Sequence, residues 1–269
     1  MKTALMYVVS TAAMMVSWSA HAGLISTDDG LGVYDTTNNV TWTSDANLFA
    51  TQLAGYGAGP IALVNEIIAD SGGVIHETPN PVDPSGTYTL SLYDFSRPGG
   101  AMDGWGAQAW LHYLNVTDYG GSNQWALPTT VDSSSSIGFP TGALAYPSQS
   151  SSQLAELFYG GLGQVAGSPI TSTHSSAYSL FSDVQDASYW SGTVFSTNPG
   201  VEWIFNTEVG NQGGGSKLLF YDVLAVSPGR ISAAAAPEID AGSMVSAVTL
   251  LLGCLAVFGG RRAASLVLR

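Results

Sequence analysis

The chain of 269 residues contains one cysteine, Cys254, so no intramolecular disulfide can form. Basic residues are nearly as scarce: seven Lys and Arg stand against 20 Asp and Glu, a formal net charge of −13. Binding to nucleic acid relies on clustered Lys and Arg against phosphates, and this composition excludes that class. Only 10% of residues are charged, but 45% are hydrophobic and 10% aromatic, which excludes a disordered chain. Enzyme signatures are missing as well. Gly55-Tyr56-Gly57-Ala58-Gly59 lacks the spacing and the preceding strand of a dinucleotide loop, and there is no Gly-x-Ser-x-Gly elbow. His76, His112 and His174 are far apart and fit no zinc pattern. What is abundant is Gly (32) and Pro (12), with many Ser, Thr and Asn, which favours strands and loops over a helical bundle.

The two ends read as targeting segments. Lys2, an apolar run from Ala4 to about Val16 and Ala20-His21-Ala22 form a secretory signal peptide over residues 1–22, with cleavage expected before Gly23. At the other end, Gly242 to Gly260 is an uncharged run of 19 residues, long enough as a helix to cross the ~30 Å hydrocarbon core of a bilayer. Arg261 and Arg262 close it and open a basic tail, 261–269, expected to stay cytoplasmic as a membrane stop. Cys254 lies inside this segment, so the exported part has no cysteine for catalysis or metal binding. Residues 233–241 form an Ala-rich linker that ends in Pro237, Glu238, Ile239, Asp240 and Ala241. A Pro-Glu motif, an apolar span and terminal arginines, in that order, resemble the PEP-CTERM sorting signal in its Pro-Glu-Ile-Asp-Ala variant. The resemblance implies an exosortase-type processing enzyme as partner, transient anchoring in the inner membrane through the C-terminal helix, and delivery to the cell surface or extracellular matrix. A proline-containing segment just outside a membrane helix is also physically open to a protease.

The exported segment, 23–232, keeps three basic residues (Arg97, Lys217, Arg230) against 18 acidic ones. Such an excess of negative charge favours solubility and disfavours anionic polymers. Gly32–Asp35 and Val40–Trp42 flank four turn-forming residues and predict a hairpin. Ile61, Val64, Ile67 and Ile68 recur at helical spacing after Pro60. Ala107, Trp110, Leu111 and Leu114 mark a second helix, and Leu154, Leu157 and Phe158 a third. Strands are expected over 123–127, 189–193, 201–207 and 218–226, with loops at 78–86 and at Gly213-Gly214-Gly215. With no strand–helix repeat, the class is α+β.

Several ordered motifs over about 30–229 resemble the Lcl C-terminal domain family. They are Trp42 with Asp45 and Asn47, the Trp105 to Leu114 helix containing Trp110, and Trp125-Ala126-Leu127-Pro128-Thr129, where the family has Arg at the second position. Leu154 to Tyr159, Tyr189-Trp190-Ser191-Gly192-Thr193, Trp203-Ile204-Phe205 and Tyr221 to Val226 complete the set. The resemblance implies a C-type-lectin-like domain with a small twisted antiparallel sheet and long loops, in which these motif residues are structural. It supplies no activity. Lectin-like domains often bind calcium, and Glu77, Asn80 and Asp83 offer oxygen ligands without a full set, so no metal site is assigned. The six tryptophans of this segment read as core in preference to sugar-stacking platforms. Function is expected to be non-enzymatic: an exported protein whose domain binds extracellular polysaccharide or a surface protein, or assembles in a matrix. The competing expectation is a surface glycoside hydrolase, which paired acids in one cleft would support.

Overall fold

The computed structural model describes residues 23–95, 98–139 and 152–231. The chain divides into two units, Met1–Ala233 and Ala234–Arg269. The signal peptide, the sorting motif, the expected membrane helix and Arg261 and Arg262 all lie outside the described residues. Among the described residues no helix is long and apolar enough to cross a membrane.

The first hairpin forms where alternation and turn residues place it. Strand β1 (Leu24–Ser26) precedes β2 (Gly32–Asp35) and β3 (Val40–Thr43), each antiparallel to the next, with Val33 opposite Trp42. Asp35 shapes the turn by accepting the N–H groups of Thr37 (2.9 Å) and Asn38 (3.1 Å). Helix α1 (Leu48–Gly55) follows, then α2 (Pro60–Asp70) with Pro60 in its first turn, where a missing N–H costs nothing. Strands β4 (Val74–His76) and β5 (Thr87–Thr89) form a separate ribbon around the 78–86 loop. Helix α3 (Gly104–Val116) begins at Asp103, whose carboxylate accepts the N–H groups of Trp105 and Gly106. Helix α4 (Gln153–Ala155) runs on as a π-helical turn over Glu156–Gly161. Strands β6 (Ser188–Phe195), β7 (Asn198–Asn206) and β8 (Asn211–Ser216) make a three-stranded antiparallel sheet. Finally β9 (Val226–Pro228) returns to pair with β3, giving the order β1-β2-β3-β9. The described residues are thus mixed α and β with small antiparallel sheets.

Three expectations need correction. Residues 123–127 are not a strand, because their backbone partners are split. Ala126 exchanges hydrogen bonds with Val226, while the carbonyl of Pro128 accepts from Gly192 on β6. The stretch 218–226 is mostly turn and isolated bridges, and regular pairing begins only at Val226. Gly213-Gly214-Gly215, expected as a loop, is the middle of β8. A Cβ on Gly214 would sit 2.7 Å from Val201 and one on Gly215 2.6 Å from Tyr221, so these glycines are the residues that let neighbouring side chains lie across the strand.

Two apolar clusters fill the interior. One gathers Phe49, Leu63, Ile67, Trp105, Trp110, Trp125 and Trp190 around α2 and α3. The other packs Leu24, Val33, Trp42, Phe158, Tyr189 and Phe205 beneath the first sheet.

Candidate functional site

All six tryptophans of the described domain are buried, and each indole N–H has a protein acceptor. Trp42 donates to Asp35 Oδ2 (3.2 Å), Trp110 to Gln52 Oε1 (2.8 Å) and Trp125 to the carbonyl of Tyr119 (2.8 Å). Trp190 donates to the carbonyl of Met102 (2.9 Å), Trp203 to Asp132 Oδ1 (3.0 Å) and Trp105 to Glu77 Oε2 (3.0 Å). A satisfied donor at the end of a large apolar ring is what a core position requires of tryptophan. None of these rings lies open to stack on a sugar.

The remaining motif residues also serve the framework. Asp45 accepts the N–H of Asn47 (2.9 Å) and bridges to Ser182, and the hydroxyl of Tyr189 accepts the N–H of Gln185 (3.0 Å). Leu127 and Pro128 are buried where their segment docks on β6, and Ser191 Oγ donates to Thr130 Oγ1 (3.2 Å). The β6–β7 register slips between Trp190 and Val194, and this bulge is where the segment is received. Ala126, at the position where the family resemblance expects Arg, is exposed.

That docking opens a cleft of about 570 Å³. One wall is the outer face of α3, with Gln108, His112 and Asn115; another is Ala126, Leu127 and Thr129; the third is Gly192 and Val194 of β6. Glu77 and Glu202 line it as well, and they are the only ionisable side chains there besides His112. Glu77 follows β4, Glu202 sits on β7 opposite Gly215, and Lys217 lies just past the end of β8 between them. Lys217 Nζ pairs with Glu77 Oε1 and lies 3.3 Å from Glu202 Oε1. Burial pushes the Glu202 carboxyl up to about 7, the adjacent Lys217 charge pulls it down, and Glu77 raises it. A second acidic pair lies behind this one. Burial lifts Asp103 to about 8, with the charge and hydrogen bond of Asp94 adding to the rise against two backbone N–H donors. Asp94 accepts the hydroxyl of Tyr88 (2.8 Å) and the N–H of Ser91 (2.6 Å). Both aspartates are at most 1% exposed, so the pair fastens the start of α3 to the 91–94 turn.

The oxygen ligands considered for calcium are engaged locally. Asn80 Oδ1 accepts the N–H groups of Val82 and Asp83, Asp83 Oδ1 accepts that of Ser85, and Glu77 faces Trp105 and Lys217. Among the described residues there is no group of three or more His, Cys, Asp or Glu side chains that could hold a metal ion. His76 contacts Thr87 and His174 stacks on Tyr178, each at the surface and away from the other.

Sequence reasoning did not single out Glu77, Glu202 and Lys217 as a unit, since they come from three separate elements. One signal was available: Lys217 is the only lysine after Lys2. Comparison with protein-family models, with characterised proteins and with solved structures finds no match.

Proposed function

We propose that the chain is an exported, non-enzymatic surface or extracellular-matrix protein whose lectin-like domain binds a neutral polysaccharide in the cleft beside α3. The observation that carries this reading is the composition of the cleft wall. Gln108, His112 and Thr129 offer hydrogen-bonding groups around an open volume, beside an Asn115 side chain that holds the Trp125 backbone, with no cation exposed to hold an anionic polymer. The acidic composition repels such polymers too. On the tail motif, the protein is sorted by an exosortase-type enzyme and anchored in the inner membrane only on the way.

A second reading, a glycoside hydrolase acting on matrix polysaccharide, is favoured by Glu77 and Glu202 sharing one cleft and by a Glu202 carboxyl that holds its proton near neutrality. Against it, Lys217 engages both acids, and Glu202 is only 3% exposed, out of reach of a glycosidic oxygen.

A glycan array run beside a polysaccharide-release assay separates the two. We expect retention of a neutral glycan with no release of reducing ends. Ala126→Arg, at an exposed position, should fill the cleft and lower binding at least about tenfold, the loss of roughly one buried ligand contact, without disturbing the thermal transition. Release that disappears in Glu202→Gln would instead establish the hydrolase. Binding that Ala126→Arg leaves intact would place the ligand elsewhere.

A further inference from the structure

Lysine is among the residues least often fully buried, and when buried it is paired. The only lysine after Lys2 is nevertheless completely withdrawn from solvent. Its backbone is pinned on both sides, by Lys217 N–H to the carbonyl of Gly200 (3.0 Å) and by Gly104 N–H to the carbonyl of Lys217 (2.9 Å). Its stem lies against Gly104, where an added Cβ would come within 3.2 Å. The ammonium is thereby delivered to two carboxylates, Glu77 and Glu202. As an ionic site this is poor. With Glu202 ionised, one cation against two anions leaves a net buried charge, and Glu202 Oε2 is buried without a hydrogen-bond partner among the described residues.

We propose that Lys217 and Glu77 are joined by an intramolecular isopeptide bond, formed within the folded domain with Glu202 carrying the proton. The step is a condensation. Glu202 takes a proton from Nζ, the freed amine attacks Cδ of Glu77, and the N–C bond forms as the carbonyl π pair moves onto oxygen. Glu202 then returns the proton to Oε1, and a second proton from nitrogen follows by the same route. Oε1 leaves as water, breaking the C–O bond, and Glu202 ends as it began. Both hydrogens of the departing water come from the ammonium, so no oxidant or co-reactant is needed.

The surroundings suit this chemistry. Trp105 Nε1–H donates to Glu77 Oε2, the oxygen that is retained and carries negative charge in the tetrahedral intermediate. Tyr88 stacks on that indole at 4.0 Å and 8°, which fixes the ring that carries the donor. The reactants are held in contact by the fold, which removes the entropy cost of meeting. Burial raises Glu202 to about 7, so both its protonated and its ionised forms are populated near neutrality, as a proton carrier needs. The product also settles the charge. An amide replaces the ion pair, and Glu202, no longer beside a cation, takes up a proton from water and becomes neutral. The bond would tie positions 140 residues apart in an exported segment that has no cysteine for a disulfide.

The inference is independent of the proposed ligand, and it is incompatible with Glu77 acting as a free catalytic acid. Intact-mass spectrometry of the purified full chain tests it, with peptide mapping after chymotrypsin digestion. The expected result is a mass lower by one water than the termini require, and a branched peptide joining the Glu77 segment to the Lys217 segment. Lys217→Met should restore the full mass. Glu202→Gln should keep the tryptophan fluorescence of the folded domain while most molecules lack the branch. Folded wild-type protein at full mass, or a missing water mapped to any other residues, overturns the bond. A branch formed at full yield in Glu202→Gln overturns the role of Glu202.

Discussion

Four acids in the domain, Asp103, Glu156, Glu202 and Asp222, are shifted towards holding their protons, and their stability contribution has a definite sign. Burial raises Asp222 to about 6, Glu202 to about 7 and Asp103 to about 8. In the unfolded chain each would ionise near pH 4. Between that value and its raised one, the folded state binds a proton that the unfolded state does not, so raising the pH favours unfolding. Stability from these groups is complete below about pH 4 and is lost as the pH climbs through 6 to 8. Hydrogen bonds from Ser85 and from Ser196 lower Asp83 and Asp132, which work in the opposite sense only on strong acidification. The thermal midpoint should therefore fall steadily from about pH 5 to about pH 9, and Asp103→Asn should flatten that slope while retaining an N-cap. A midpoint that is level or rising across this range would show that the buried acids are not protonated.

At the scale of elements, β8 shows how glycine acquires position-specific meaning. Gly215 lies under Tyr221 and Ile204, whereas Gly213 has nothing within 4 Å of an added Cβ. Gly215→Val should cost about 1–3 kcal/mol through overpacking, and Gly213→Val should be neutral or slightly stabilising, as valine suits an extended backbone. Denaturant titrations of the two variants check the contrast, and equal effects would remove the steric account. The same strand explains what sequence reasoning could reach. Hairpin β2–β3, helices α2 and α3, and strands β6 and β7 carry their own periodicity and stops, such as Pro60 before α2 and Gly72-Gly73 after it. The β8 glycines carry no periodicity, since their pairing is imposed by Val201 to Asn206 across the sheet. Residues 123–127 look like a strand locally, but Ala126 bonds Val226 while the next residue after the stretch, Pro128, accepts from Gly192, both partners far off in the sequence. The cleft was hidden for the same reason. Trp105, Glu77, Glu202 and Lys217 each look ordinary alone, and only the packing of β4, α3, β7 and β8 brings them together.

At the scale of the whole molecule, the sorting route proposed above separates the domain from the C-terminal segment. In that proposal the Pro-Glu motif precedes the apolar run in the sequence, so altering it leaves the run's composition unchanged. Replacing Pro237 and Glu238 by Ala should leave insertion intact and block release of the domain, whereas replacing Arg261 and Arg262 by Glu should weaken the stop and the orientation. Fractionation of a tagged chain into membrane and released pools reads both outcomes. Wild-type protein that stays full length in the membrane, like the Pro237/Glu238 variant, would mean that the tail is a permanent anchor.

The scarcity of cations also bears on resistance to proteolysis. A protease of trypsin-like specificity cuts after Lys or Arg, and residues 23–231 offer it three positions: Arg97, Lys217 and Arg230. Lys217 is sealed inside the fold, and Arg230 stands at the very end of the domain, beyond β9. Cleavage there costs the domain the Ile231 contacts, its N–H bond to Thr41 Oγ1 (3.1 Å) and its packing on the core, but no strand. A surface short of positive charge is thus also a surface short of substrate for one large class of digestive enzymes.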